Sequence, residues 1–347
     1  MNKTRVMEFI LDHLKALVNI PSPVGMTEKA EQWVMERLKA LGFAPWQNKK
    51  GGVFVQINQG EGPGILLTAH IDTIGLMVRS VKSNGRLGFS RLGGFPLQYV
   101  EQENVLVHTA WGQEYPGTLR LNEPAVHAND DLAEVRRTPD TMEIVLDLQV
   151  KTKEDTLARG ISAGDYISLD PRFKRSGEGF IKSRHLDNKA AAAVVLALAK
   201  ALKDGEAACP RPVYVLFSNY EEIGHGASSA HPEGIEDMIA VDMGVVGRDL
   251  TCDEYQVCIC AKDVRGPYHR ALTQALVKTA KANGLAYSTA LYPYYYSDTT
   301  AALTAGYDYR HALIGPGVAA SHGYERTHEE GLWNTLLLLK HYLAEPV

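Results

Sequence analysis

The sequence predicts an α/β protein, a mixed and mostly parallel sheet flanked by helices, carrying a small β-barrel-like insertion. Three observations support this. Helical and strand-like periodicities alternate at both ends of the 347-residue chain, the pattern of a parallel sheet covered by helices. From about residue 74 to residue 179 the texture changes to short alternating segments separated by turn signals. Metal-binding side chains also stand where predicted strands run out, and open α/β sheets gather ligands at such strand ends.

In chain order, Val6, Phe9, Ile10, Leu14, Leu17 and Val18 trace one face of a first helix. Asp12, His13 and Lys15 interrupt the apolar stretch and rule it out as a secretion signal. Ile20-Pro21-Ser22-Pro23 ends that helix, and a second is expected over 28–41 with Thr27 as N-cap and Gly42 just past its end. Strands follow at 52–58 and 64–69, and the second delivers His70. The middle third places strands near 77–81, 104–108, 142–150 and 166–169, with Asn84-Gly85 as a hairpin turn. Beyond it come a helix at 188–203, strands at 213–217 and 238–241, a helix at 270–283, a short strand at 312–314 and a closing helix at 331–342. Residues 1–73 and 180–347 thus form a catalytic domain, and 74–179 an inserted β-rich domain.

Composition narrows the function. With 45% hydrophobic and 22% charged residues the chain reads as soluble and globular, and a formal charge of −5 offers no basic field for nucleic acid. No apolar run is long enough to span a bilayer, so the expected setting is cytoplasmic, without membrane partners. Cys209, Cys252, Cys258 and Cys260 are too few for a disulfide framework and are expected to be free thiols.

The chemistry lies in five short strings: Ala69-His70-Ile71-Asp72, His185-Leu186-Asp187-Asn188, Tyr220-Glu221-Glu222-Ile223-Gly224, Val241-Asp242-Met243-Gly244 and Ser321-His322-Gly323. Each alone is weak: a Glu-Glu pair is usually a solvated helix face, and a lone histidine a polar loop residue. Their joint position at strand ends brings imidazoles and carboxylates together in a number that suits two divalent ions better than one. Crowded carboxylates repel and take up protons unless cations neutralise them. A water held by the cations becomes a nucleophile, and Glu221 can take its proton and pass it to a leaving amine. Asp72, two residues beyond His70, is placed to orient that imidazole. His185, His225 and His231 read as loop or surface residues, and His328 as the start of the last helix. Tyr292, Tyr294, Tyr295 and Tyr296 could form a substrate wall or pack in a core.

Taken together, the segments AHIDTIGLMV, HLDNK, EEIGHGAS, AVDMG and SHGYERTH resemble the M42 metallopeptidases, the glutamyl- and deblocking-aminopeptidase family of the two-metal aminopeptidase superfamily. The resemblance covers essentially the whole chain and implies an aminopeptidase/phosphorylase-like fold. It places metal ligands at His70, Asp187, Glu222, Asp242 and His322 and the catalytic carboxylate at Glu221. Asp187 would bridge two zinc or cobalt ions, with His70 and Asp242 on one side and Glu222 and His322 on the other. The resemblance also implies a cis bond between Asp187 and Asn188, short peptide substrates, and an insertion that builds dimers and then twelve-subunit shells. Two strings depart from the family: Asp187-Asn188-Lys189 has lysine for the usual arginine, and Tyr296-Ser297-Asp298 replaces Gly-Thr-Asp. Both are expected to border the pocket. A subgroup acting on an acylated dipeptide-type osmoprotectant, an endoglucanase-type hydrolase and a catalytically silent binding protein are the competing readings.

Overall fold

The strands at the centre of the larger sheet are mostly apolar because both of their faces are covered. Gly64–His70 is buried at every position, and Val213–Ser218 and Ile235–Val241 nearly so. The computed structural model describes residues 1–345, which divide into two compact units: Met1–Asp72 with Arg172 onward, and Thr73–Pro171. In the larger unit the strands run in the order Trp46–Gln47, Val53–Asn58, Val213–Ser218, Gly64–His70, Ile235–Val241, Arg310–Ala319, Glu325–His328, Phe180–Ser183 and Lys174–Ser176. Four consecutive members, from Val213–Ser218 to Arg310–Ala319, are mutually parallel, so their C-terminal ends reach one edge together. That shared edge positions the site. Helices Lys3–Val18, Leu186–Lys203 and Glu329–Leu343 pack on one another and, with the strands, enclose a core that includes Ile10, Leu14, Val194, Leu198, Leu336 and Leu339.

The Arg310–Ala319 strand is much longer than the 312–314 segment expected from the sequence. Gly315, Pro316 and Gly317 hide it, since such residues argue against a strand interior. Val257–Asp263 pairs antiparallel along it, and Gly315 is needed there because a Cβ would collide with the carbonyl of Asp242. Thr27 also differs from expectation. Its hydroxyl does not cap Glu28–Ala40 but donates to the buried Glu31 carboxylate at 2.6 Å.

The cysteine expectation is corrected in one respect. Cys252 and Cys258 form a disulfide, because the turn between them returns the chain to a Cα separation of 5.9 Å, while Cys209 and Cys260 are free thiols. Among the described residues, no helix is long and apolar enough to cross a membrane.

The smaller unit is a closed barrel of six antiparallel strands: Gly75–Val81, Leu87–Leu92, Met142–Leu146, Glu114–Leu121, Glu103–His108 and Tyr166–Leu169. Alternate residues, among them Leu76, Val78, Leu87, Phe89, Val105, Val107, Leu119, Leu121, Ile144 and Ile167, point inward and fill it. The seam falls at Pro171, ahead of the sequence-assigned end at Gly179. The Lys174–Ser176 strand pairs with Phe180–Ser183, which pairs in turn with Glu325–His328, so this hairpin belongs to the large sheet.

Candidate metal centre

His70 is the last residue of its strand and is buried, with its ring fixed at both nitrogens. Nδ1 lies 3.0 Å from the carbonyl oxygen of Asp72. A carbonyl can only accept, so Nδ1 carries the proton and Nε2 turns its lone pair toward the centre. The Asp72 carboxylate sits 3.5 Å from the same Nδ1 and does a second job: its two oxygens accept the backbone N–H groups of Glu221 and Glu222, each at 3.2 Å. Asp72 therefore orients the imidazole chiefly through its main chain and spends its side chain on the turn bearing the Glu pair.

Asp187 lies just after His185, which adopts the left-handed conformation at φ 68°, and just before Asn188, to which it is joined by a cis peptide bond. Its N–H donates to Glu325 at 3.1 Å, and the Asn188 side chain donates to the carbonyl of Val241 at 2.9 Å. So held, Asp187 presents Oδ1 to His70 Nε2 at 3.1 Å and Oδ2 to His322 Nε2 at 3.4 Å. His322 Nε2 is also 3.3 Å from Glu222, while His70 Nε2 is 3.7 Å from Glu221 and 3.8 Å from Asp242. All five expected ligands and Glu221 are thus brought together. Two triads, His70–Asp187–Glu222 and His70–Glu221–Asp242, have donor atoms within 4.8 Å of one another.

The electrostatics fit a cation site. Burial pushes the Glu222 carboxyl up to about 8 and Asp242 up to about 7. Burial, with Asp242, Asp298 and Glu222 nearby, holds Glu221 well above the carboxylate range. Asp187 alone among the four carboxylates is held below it: burial opposes the charge, but His322 and His70 outweigh burial. Tetrahedral ligands at about 2.0–2.1 Å from zinc stand about 3.3 Å apart, which is the spacing of the imidazole–carboxylate pairs around Asp187. The donor set, nitrogen and carboxylate oxygen with one carboxylate facing both histidines, could hold divalent cations.

Three residues that the motif reading passed over complete the support. Glu325 accepts the N–H of Asp187 on one oxygen and that of His322 on the other, each at 3.1 Å, and so locks two ligands from distant segments together. Asp298 accepts from the Ser218 hydroxyl and from the N–H of Ala227 at 2.9 Å, clamping both ends of the Glu221–Glu222 turn. Gly226 permits this, since a Cβ there would strike the Asp298 carboxylate. Lys50 donates to the carbonyls of His225 and Gly226 and to Ser228, pinning the same turn from a third side. Glu325 and Asp298 were visible as acidic residues near motifs. Lys50 gave no signal, because its partners lie about 175 residues away.

One expectation is corrected here. Lys189 does not border the pocket: its ammonium is buried and turns away to donate to the carbonyls of Leu17 and Ile20, closing the end of the first helix. His185, His225 and His231 lie in turns or loops as expected, with His185 buried, His225 exposed and stacked on Tyr220, and His231 half-buried and stacked on Tyr307. The tyrosine run divides its roles. Tyr292 is buried in a side cluster, Tyr294 is 95% exposed, Tyr296 lies over Gly224 with its hydroxyl 3.4 Å from the carbonyl of Glu222, and Tyr295 faces the carboxylates.

A parallel α/β sheet whose strand ends converge on histidines and carboxylates with one shared aspartate defines a metal-dependent hydrolase of the aminopeptidase class. Residues 51–338 match the M42 glutamyl aminopeptidase family, and the chain belongs to it. Over 338 residues, 97% of this chain and 98% of the relative, it is 40% identical to YhfE of Bacillus subtilis (strain 168), a protein named as an aminopeptidase only provisionally. Among solved structures, a TET aminopeptidase from Thaumarchaeota archaeon SCGC AB-539-E09 superposes with a TM-score of 0.87 at 19% identity, covering 97% of both chains. The Pyrococcus horikoshii TET1 peptidase, described as able to assemble into a tetrahedron or a large octahedral shell, superposes at 0.85 with 21% identity, covering 97% of this chain and all of that one.

Proposed function

We propose that this protein is an aminopeptidase that removes N-terminal residues from short peptides, using a water activated between two divalent cations. The observation that carries the reading is Asp187, whose two oxygens face two histidines from opposite ends of the chain. In this reading His70, Asp187 and Asp242 hold one ion and His322, Glu222 and Asp187 the other, with zinc or cobalt suiting the nitrogen and oxygen donors. When bound, the cations acidify a water and polarise the scissile carbonyl. Glu221 takes the proton released from that water and delivers it to the leaving amine. Asp72, Asp298 and Lys50 keep its turn in place, and Glu325 keeps Asp187 in register with His322.

A glycosidase places two free carboxyl groups across the bond it cleaves. Here Asp72, Asp298 and Glu325 are each engaged by backbone N–H groups, which leaves Glu221 without such a partner. A silent binding protein has no use for that base. Metal analysis followed by a scan of aminoacyl-chromophore substrates with added zinc, cobalt or manganese tests the reading. Release of amino acids only in the metal-loaded state is expected, and metal-independent cleavage of cellulose oligomers without amino acid release would reject it. An acylated dipeptide-type substrate belongs in the same scan.

Assembly is part of the proposal. The Thr73–Pro171 barrel is assigned to homo-oligomer contacts, as a dimer building block and possible unit of a dodecamer, supported by the shells described for the TET1 relative and by the exposed Trp111 and Val126 on this unit. Light scattering at micromolar concentration tests it, and a monomer would reject it. A cytoplasmic setting is proposed from the low cysteine content, against which the Cys252–Cys258 pair weighs.

A further inference from the structure

The turn that carries Glu221 and Glu222 leaves its strand through Asn219, which lies outside the ligand motifs and is 2% exposed. Its side-chain amide donates to the Glu31 carboxylate at 2.7 Å and to the backbone carbonyl of Lys50 at 2.5 Å. A carbonyl can only accept, so the NH2 end of the amide is the end that faces this pair. Glu31 is itself enclosed and takes two further donors, the Thr27 hydroxyl at 2.6 Å and the Gln47 amide at 3.2 Å. Gly51 lets the chain pass beside it, because a Cβ there would strike the Glu31 carboxylate. Lys50 grips the turn a second time. Its ammonium donates to the carbonyls of His225 and Gly226 and to Ser228, and stands 5.7 Å from the centre of the Tyr220 ring. One residue thus holds the chain two positions before Glu221 and again just after Gly224. Between these grips Tyr220 takes the left-handed conformation at φ 62°, which a tyrosine adopts only where its surroundings impose it.

We propose that Asn219 is a positioning residue for Glu221: through Glu31 and Lys50 it fixes the turn from which that base reaches the attacking water. The proposal rests on the aminopeptidase reading above. Glu222 is assigned to a cation, which draws that carboxylate into place when it binds. Glu221 is assigned to none, so its placement depends on its main chain. Asp72 holds that main chain by two N–H groups, and Asp298 holds Ser218 and Ala227 at its ends. Asn219 supplies what these leave open, the approach through Tyr220. A proton passes only between groups within hydrogen-bond reach, and a misplacement of about 1 Å at a reacting group costs about 100-fold in rate. The anchor of this arrangement, Glu31, stands 188 residues upstream on the second helix.

Asn219→Ala in the metal-loaded protein provides the test. It should lower kcat by about 10- to 100-fold, with KM within about 3-fold of wild type and metal content unchanged. Glu31→Ala cuts the same link from the other side and should match it. The two changes together should fall no more than about 3-fold below either alone, because one link is lost once. Glu31→Gln keeps an acceptor oxygen for Asn219 and should recover most of the kcat that Glu31→Ala loses. Hydrogen exchange read by mass spectrometry reports apart from turnover: amides of residues 219–228 should exchange about 10-fold faster in N219A and E31A than in wild type and E31Q, with the Thr73–Pro171 barrel unaltered. Should N219A not fold, E31A and E31Q decide the matter. Wild-type kcat in N219A, losses that multiply in the double variant, E31Q as slow as E31A, or metal lost in parallel with activity would each overturn the assignment. A metal-loaded wild type that releases no amino acid would overturn the aminopeptidase reading and this proposal together, whereas an active wild type matched by N219A would overturn the proposal alone.

Discussion

One strand carries a buried aspartate at each end, and the two are neutralised in opposite ways. At the start of Ile235–Val241, Asp237 is 1% exposed and is met by Arg310 at 2.6 Å and Arg211 at 2.8 Å. Immediately after the other end, Asp242 is 3% exposed and, among the described residues, is met by no arginine or lysine; its neighbours are His70, Asp187 and the Tyr295 hydroxyl. At the first end the chain supplies its own fixed cations, and a permanent guanidinium makes a structural site. At the second end it assembles carboxylates and imidazoles whose charge is completed only from outside. The position of arginine thus separates a structural acidic cluster from a metal centre on the same strand.

The contrast is broken most severely through Glu221 and Asp242. Glu221→Gln is expected to lower kcat by about 10³-fold or more while metal content stays at the wild-type level, because it removes a proton acceptor and no assigned ligand. The clustering of Glu221 with His70 and Asp242 makes this a sharp test: metal loss alongside activity would reassign Glu221 as a ligand. Asp242→Asn should lose comparable activity together with bound metal, yet leave the metal-free fold at least as stable, since a crowded carboxylate is gone. Elemental analysis and thermal unfolding of the same samples decide between these outcomes.

Chelation comes next in size. Removing cations held at 100 to 1,000 times their Kd should cost the fold about 3–4 kcal/mol, seen as a lowered Tm. Asp237→Asn should show the same drop on chelation as wild type and Asp242→Asn a smaller one. At the opposite end the expected effect is on stability alone. Asp237→Asn leaves the enclosed Arg211 uncompensated and should cost about 3 kcal/mol in denaturant unfolding, with kcat of the folded fraction retained. A loss of metal in D237N would show that the two ends are not independent.

The smallest effect is a pH dependence. Glu222 and Asp242 are raised by burial to about 8 and about 7 from ordinary values of 4.5 and 3.8. The metal-free fold therefore holds protons that the unfolded chain releases, so this contribution is complete below about pH 4 and is lost as pH rises through about 7–8. Cation binding runs the other way, because it requires the deprotonated carboxylates. The Tm gap between loaded and metal-free protein should widen steadily from pH 5 to pH 8. A gap independent of pH would remove Glu222 and Asp242 from the ligand set.

Periodicity and punctuation, which act locally, were enough to lay out the five long helices, the parallel core and the change of texture that marks the barrel, but not the short helices Lys153–Leu157 and Asp298–Thr304. The residues that gather at the candidate metal centre were legible too, because a strand end followed by His, Asp or Glu is a short-range pattern. The sequence alone also determined that the chain has no basic field. Tertiary structure decided what depends on meetings between distant segments. Arg310–Ala319 becomes a ten-residue strand only because Val257–Asp263 pairs along its Gly-Pro-Gly stretch, and Cys252 meets Cys258 only through a turn that tertiary packing holds. Lys189 faces away from the site because the carbonyls at the end of the first helix offer a buried ammonium its acceptors, more than 165 residues upstream. Glu325 links His322 to Asp187, and Asp72 shares its carboxylate between two backbone amides across about 150 residues. Such hydrogen bonds leave no periodic trace in a sequence, because partners are selected by closeness in space and by the cost of burying a polar group without one.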